Sequence, residues 1–275
     1  MSERRDSFRA RLGAALKRHP ALRVGAILAI IAVLIIWGSR QTDSGAPRIP
    51  FIAPEKLPNF NAYTDVNEKK AAFFNFLLPS INAVNSRILE QREHLLKIRA
   101  KVADGDGIGW LDDRWLANLC EAYDFDPRAE YPVTFLDQMA ARVDVVSPSL
   151  VLAQAANESA WGTSRFAKLG NNLFGMRTYE PGTGIVPRRR APGATWEVAA
   201  YSSVQESVRA YVHNLNTNDS YRRLRDIRRD LRRRGQPITG HALAGGLNRY
   251  SERGSEYVAI IRSMIRSNDL RQYDE

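Results

Sequence analysis

The sequence predicts a mainly α protein of the α+β class: a helical domain with a small β-hairpin lobe, preceded by an amino-terminal transmembrane helix and a helical accessory region. Three observations predict it. Long stretches repeat apolar residues every three or four positions, one short region is broken by glycine and proline around β-branched pairs, and one apolar run follows a basic terminus. With 275 residues, 44% of them hydrophobic, the chain has room for one substantial domain plus attachments.

Residues 1–20 are basic, with Arg4, Arg5, Arg9, Arg11, Lys17 and Arg18. The apolar run Val24–Trp37 that follows would make about 21 Å of helix, and its extension over residues 21–39 about 28 Å, close to the ~30 Å hydrocarbon core. Positive charge before such a run keeps the terminus in the cytoplasm and sends the remainder across. A cleaved signal peptide competes with this retained anchor, but the nearest cleavage-like site, Ser44-Gly45-Ala46, would place Pro47 directly after the cut. Residues 40–60 carry Pro47, Pro50, Pro54 and Pro58, which block helix and sheet and favour an extended spacer.

Residues 61–128 form the accessory region. Ala72, Phe73, Phe76, Leu77, Ile81, Val84, Ile88, Leu95 and Ile98 give Asp65–Val102 a helical pattern that Pro79 should bend or divide. A shorter helix over Leu111–Tyr123 puts Leu111, Trp115, Leu116 and Leu119 on one side. Asp104–Gly109 (DGDGIG) resembles part of a calcium loop, but it lacks the closing glutamate and reads as a turn.

Residues 129–275 hold the most informative stretch, Ser147–Gly175. Ser147 is placed to cap a helix, Pro148 fits its first turn, and Gly162 can adopt the left-handed conformation that ends it. Val151, Leu152, Ala155 and Ala156 form a small apolar face, whereas Leu150, Gln154, Asn157, Glu158 and Trp161 share another at spacings of three and four. Amides, a carboxyl and an indole on one side suit the wall of a sugar cleft, since amides read hydroxyl and acetamido groups and an indole stacks on a pyranose. Glu158 falls on the last turn, where exposed carbonyls and the apolar Ala160 and Trp161 oppose a negative charge, the setting a proton donor needs. A solvated glutamate at a helix end is the plain alternative.

Beyond Gly175, the stretch Met176–Ala200 is punctuated by Pro181, Gly182, Gly184, Pro187, Pro192 and Gly193, with Ile185-Val186 and Trp196–Val198 as short strands. Arg188, Arg189 and Arg190 sit at its tip, either as anion contacts or as a solvated turn. Ser203–Asn216 is a helix with Val204, Val208, Tyr211, Val212 and Leu215 inward, and Ser203 with Glu206 fits a capping box that gives Glu206 a structural role. Tyr221–Arg234 holds eight arginines against two aspartates, a net +6. Its Leu224, Ile227 and Leu231 recur at helical spacing, so it reads as a packed helix solvated elsewhere and not as a nucleic-acid surface. The overall charge of +10 suits anionic lipid heads or wall polymers.

His19, His94, His213 and His241 are scattered, and Cys120 is the only cysteine, so neither a metal set nor a disulfide nor a thiol nucleophile is expected. No cofactor is implied. Cys120 reads as a small buried hydrophobe.

The segments AQAANESAWGTSRFA, NNLFGM, AYSSVQESVRAYVHNLN and LNRYSERGSEYV together resemble the Bax family of bacterial envelope proteins, within the glucosaminidase domains of glycoside hydrolase family 73. The resemblance covers roughly Tyr131 to Asp269. It implies a lysozyme-like fold and cleavage of the β-1,4 bond between N-acetylglucosamine and N-acetylmuramic acid in peptidoglycan, with Glu158 as catalytic acid. Gln154, Trp161, Asn172, Phe174, Tyr201 and Tyr250 become the expected sugar-binding residues, Tyr250 matching the family's cleft tyrosine. A second carboxylate is expected on the hairpin, with Glu197 preferred and Glu180 the alternative; substrate assistance by the 2-acetamido group, or a lytic transglycosylase reaction with Glu158 alone, would do without one. A non-catalytic wall-binding or scaffold protein is the competing function. The expected partners are glycan strands and, through residues 21–39, the bacterial inner membrane, with the domain in the periplasm. Protein partners are not legible.

Overall fold

A computed structural model describes residues 57–188, 190 and 193–274. The basic tail, the expected anchor and nearly all of the proline spacer lie outside the described residues. Among those described, no helix is long and apolar enough to cross a membrane. They all fall within one compact unit, and a continuous core runs from Phe60 to Leu270.

In chain order the helices are α1 (Val66–Ala103), α2 (Trp110–Ala122), α3 (Val133–Arg142), α4 (Pro148–Ser159), α5 (Arg165–Gly170), α6 (Val204–Thr217), α7 (Arg222–Arg233), α8 (Gly240–Leu243) and α9 (Ser255–Ser267). The strands β1 (Arg177–Thr178), β2 (Gly184–Ile185) and β3 (Glu197–Ala199) lie between α5 and α6. The protein is therefore mainly helical with a small antiparallel sheet.

α1 is one unbroken helix, so Pro79 does not divide it. Asp65 starts it by accepting the amides of Asn67 and Glu68. Its apolar stripe packs along α3, α4 and α6. In α2 the expected inward face holds at Leu116 and Leu119, but Leu111 is 56% exposed at the start of the helix.

α4 is the central helix, covered by α1, α8, α9 and the turn at Leu270–Tyr273. Leu150, Val151, Leu152, Ala153, Ala155 and Ala156 are all buried, and the alanines let neighbours approach closely. Its cap differs from the expectation. The Ser147 hydroxyl accepts no amide of the first turn and instead hydrogen-bonds Asp274. Asp274 itself accepts from the Ser149 amide at 2.9 Å, the Ser149 hydroxyl at 2.7 Å and the Gly240 amide at 3.1 Å. An acidic residue near the chain end thus serves the positive end of a helix 125 residues earlier.

The lobe is a three-stranded antiparallel sheet with β3 in the middle, not a simple hairpin. Arg177 pairs with Val198, Thr178 with Glu197, Gly184 with Ala199 and Ile185 with Val198. Glu197, Val198 and Ala199 of the middle strand are all buried. Trp196 lies outside the strand, with the Arg177 guanidinium 3.9 Å from its ring centroid.

α7 departs most from its sequence pattern. Leu224 is buried, Ile227 and Leu231 are half-buried, and two of the eight arginines, Arg225 and Arg228, go inside. Arg228, 1% exposed, donates to the carbonyls of Ala141, Asp144 and Val145 and to Asn216 Oδ1. Burial pushes its guanidinium down to about 10, with Asp144 opposing, so it stays charged at neutral pH. Buried Asp144 also receives Arg232 at 2.8 Å and Arg92 at 3.4 Å. This clamp ties the α3–α4 corner to α1, α6 and α7.

Candidate active site

Glu158 lies half-buried on the last turn of α4, and the way that helix ends determines its surroundings. The left-handed turn begins two residues before Gly162: Ala160, Trp161 and Gly162 have φ of 50°, 61° and 72°. The Ser159 side chain holds this reversal, donating to the Ala155 carbonyl at 2.6 Å and accepting from the Gly162 amide at 2.7 Å. Gly162 is required for space as well as conformation, since a Cβ there would lie 2.7 Å from Phe60 Cδ2.

The early reversal takes Trp161 off the face it was expected to share with Glu158. Its indole packs on Phe73 and Phe74, with centroids at 5.7 and 5.4 Å, and the Lys70 ammonium sits over it at 5.4 Å. It is half-buried against α1.

Glu158 is held through one oxygen. Tyr257 of α9 donates to Oε1 at 2.8 Å and Asn157 Nδ2 donates to the same atom at 3.0 Å. Oε2 faces the loop after Phe174, where a Cβ added to Gly175 would come within 3.8 Å of it. Gly175 has φ 66°, so its conformation favours glycine there.

Tyr257 is part of a buried chain. Gln154 Nε2 donates to the Tyr257 oxygen at 2.9 Å, and Tyr211 donates to Gln154 Oε1. Burial, then the neighbouring Glu158 charge, push the Tyr257 phenol far above its ordinary value and keep it a donor. Gln154 was expected to read a sugar hydroxyl or acetamido group, but it has no exposed surface and both ends of its amide are engaged with tyrosines. It positions Tyr257.

The loop residues are internal too. Asn172, 2% exposed, donates to the carbonyls of Met176 and Ala199 and accepts from the amides of Phe174 and Met176. It shapes the loop opposite Glu158 and offers nothing outward. Phe174 is stacked on Tyr211 at 4.0 Å and 12° and is likewise buried. Tyr250 donates to the Phe174 carbonyl at 2.8 Å and stacks on Tyr257 at 5.3 Å, so it supports the residue that holds Glu158 without bonding the carboxylate itself. Tyr201 is half-buried; its amide donates to Gly170 and its carbonyl accepts from Asn171.

On the sheet, Glu197 accepts the Gly182 amide at 3.3 and 3.2 Å through its two oxygens and the Gly184 amide at 3.0 Å. Gly184 makes this possible, because a Cβ there would lie 2.9 Å from Glu197 Cβ and clash with the Val198 carbonyl. Glu180 is exposed, with its backbone in the turn that Thr178 and Thr183 brace. Glu206 bonds the amide and hydroxyl of Ser202 while Ser203 caps α6, a shifted form of the expected box. Arg190 is turned toward the carbonyls of Thr195 and Trp196, and Arg189 lies outside the described residues. Among the described residues no group of three or more His, Cys, Asp or Glu side chains could hold a metal ion.

Tyr257 is the residue that sequence reasoning missed. It lies 99 positions from Glu158, and its only sequence signal is a tyrosine on the inward stripe of α9, where a buried hydroxyl needs a polar partner.

The family profile described as mannosyl-glycoprotein endo-beta-N-acetylglucosaminidase matches residues 134–270, which contain Glu158, Tyr257 and the whole sheet. The catalytic domain of the autolysin Auto from Listeria monocytogenes matches at 24% identity over 58% of this chain and 82% of that one, with a TM-score of 0.36. Protein bax of Escherichia coli K12 is 32% identical over 214 residues, 77% of this chain and 74% of that protein. At that identity and coverage, the chain belongs to the Bax family of glucosaminidase-domain proteins.

Proposed function

We propose that the protein is a peptidoglycan hydrolase that cuts the β-1,4 bond between N-acetylglucosamine and N-acetylmuramic acid, with Glu158 as general acid. The observation that carries this reading is the asymmetry at Glu158: Tyr257 and Asn157 engage Oε1, and Oε2 is left toward the Gly175 loop. A carboxyl fixed through one oxygen can present the other to a glycosidic oxygen at constant geometry.

Protonation of the leaving oxygen by Glu158 breaks the C1–O bond. The positive charge at C1 then needs a partner on the far side. Glu197, with both oxygens engaged by loop amides, would have to release those contacts to attack C1 or activate water. The route this favours is attack by the oxygen of the substrate's own 2-acetamido group, giving a cyclic oxazolinium ion. Water opens it, and Glu158 takes the proton back. In this reading the apolar run at 21–39 anchors the chain in the bacterial inner membrane and the domain works in the periplasm.

The test is incubation of the full-length protein and its Glu158→Gln variant with purified peptidoglycan, followed by mass analysis of the products. New reducing N-acetylglucosamine ends from the wild type alone are expected. Anhydro-muramic ends would replace this reading with a lytic transglycosylase, and uncut glycan retained on the protein would replace it with a binding module.

A further inference from the structure

On the face of α9 turned away from Glu158 lies a cavity of about 430 Å³, lined by Arg223, Gly245, Asn248, Ser255, Val258, Ala259, Arg262 and Arg266. At 3.6 residues per turn, Ser255, Ala259, Arg262 and Arg266 stand about 140–200° around the helix from Tyr257, so this space is separate from the Glu158 surroundings. Three guanidiniums meet there and no acidic residue lines it.

Two of these arginines are held by the protein in a way that leaves their ends available. Arg262 donates through Nε to the His241 carbonyl at 3.0 Å, and Arg223 donates through Nε to the Gly245 carbonyl at 3.2 Å. Each bond fixes the plane of the group by its inner nitrogen and leaves terminal N–H donors for a ligand. Gly245 keeps room for this, because a Cβ there would lie 3.1 Å from an Arg262 terminal nitrogen. α9 begins at Ser255 with no side-chain cap, so its positive end borders the same space. The field is felt nearby: burial and the charges of Arg262, Arg266 and Arg271 hold the His241 imidazole below its ordinary value. Val258 and Ala259 give the cavity a small apolar wall.

From this arrangement we infer a second binding site, remote from Glu158, for the free carboxylate of a peptide that ends in a small apolar residue. Forked guanidinium donors match a carboxylate, and the apolar wall accepts a methyl side chain beside it. On the reading of the chain as a peptidoglycan hydrolase, that peptide is the stem attached to the glycan strand. The site then lets the protein grip cross-wall peptides while Glu158 works on sugar.

The full-length protein is titrated calorimetrically with D-alanyl-D-alanine, with its carboxy-terminal amide and with inorganic phosphate. Saturable binding of the dipeptide is expected, weakened about tenfold or more when the carboxylate is amidated. Arg262→Gln with Arg266→Gln should abolish it. So should Ala259→Asp, an exposed position where a negative charge repels the ligand without touching the core. These variants should cut peptide-free glycan at the wild-type rate and peptide-bearing strands with a raised KM. Equal binding of dipeptide and amide, tighter binding of phosphate, undiminished binding by Ala259→Asp, or no binding at all would each overturn the inference. Arginine-dependent dipeptide binding by a protein that cleaves no glycan would sink the hydrolase reading and leave the carboxylate site standing.

Discussion

The end of α4 and the middle strand of the sheet each bear a glutamate, and the two are treated in opposite ways. Glu158 is bonded through one oxygen, by Tyr257 and Asn157, and its other oxygen is turned to a loop kept bare by Gly175. Glu197 engages loop amides through both oxygens and is 8% exposed. A carboxylate engaged through both oxygens braces structure, whereas one engaged through a single oxygen leaves the other for chemistry. Asp144 is the extreme of the first kind, enclosed by Arg228, Arg232 and Arg92.

The largest expected effect breaks the comparison on the side of chemistry. Glu158→Gln keeps size and the bond from Tyr257 but cannot donate an acidic proton, so kcat/KM should fall by about 10²–10⁴-fold with little change in Tm. A Tm loss comparable to that of an Asp144 variant would show that Glu158 is architectural after all.

Next in size is the architectural extreme. Asp144→Ala leaves Arg228 charged, buried and without its counter-ion, which should cost about 3–5 kcal/mol of stability. The acid behaviour follows. Burial alone would push the Asp144 carboxyl up, but Arg228, Arg232 and Arg92 outweigh it and hold it below the ordinary carboxylate value. A group depressed on folding contributes stability that is complete above its unfolded value, about pH 4, and is lost as pH falls through the folded value. Urea titrations should therefore show wild type losing stability below about pH 4, with a shallower loss in Asp144→Asn.

Tyr257→Phe sharpens the comparison by making Glu158 less held. It removes one donor to Oε1 and leaves Gln154 Nε2 buried without its acceptor, worth about 1–3 kcal/mol in stability. Activity should fall through kcat, with KM unchanged, because the carboxyl is still present but no longer aimed. A change confined to KM would mean that Tyr257 binds substrate.

These effects also mark how far the sequence could be read. The helices were legible because α4 and α6 follow clean apolar spacings, and Glu158 stood out because the helix bearing it was delimited and its motif specific. What was not legible depends on pairs distant in sequence. Gln154, Asn172 and Phe174 have the residue types of a sugar site, and only packing reveals that Gln154 faces two tyrosines and Asn172 the loop backbone. Helical spacing carried Trp161 onto the Glu158 face because nothing in Ala160 announces a left-handed turn two residues before the glycine. Arg228 was counted as solvated for the same reason: an arginine goes inside only where carbonyls and an aspartate from other elements converge, here 84 positions away.

The smallest effect separates the two glutamates most cleanly. Gly175 and Gly182 both have positive φ, 66° and 83°, so replacement of either by alanine should cost a similar backbone strain, about 1–2 kcal/mol. They differ in what the new methyl meets. At Gly182 nothing lies within 4 Å, and its amide still donates to Glu197, whereas at Gly175 the methyl would sit 3.8 Å from Glu158 Oε2. Both variants should therefore melt slightly earlier, but only Gly175→Ala should lose turnover, because it alone sets a methyl against the oxygen to which the proposed mechanism gives the proton. Matched losses of turnover would mean that the sheet loop contributes to the chemistry as directly as the helix end does, and that Glu197 is held in place for use.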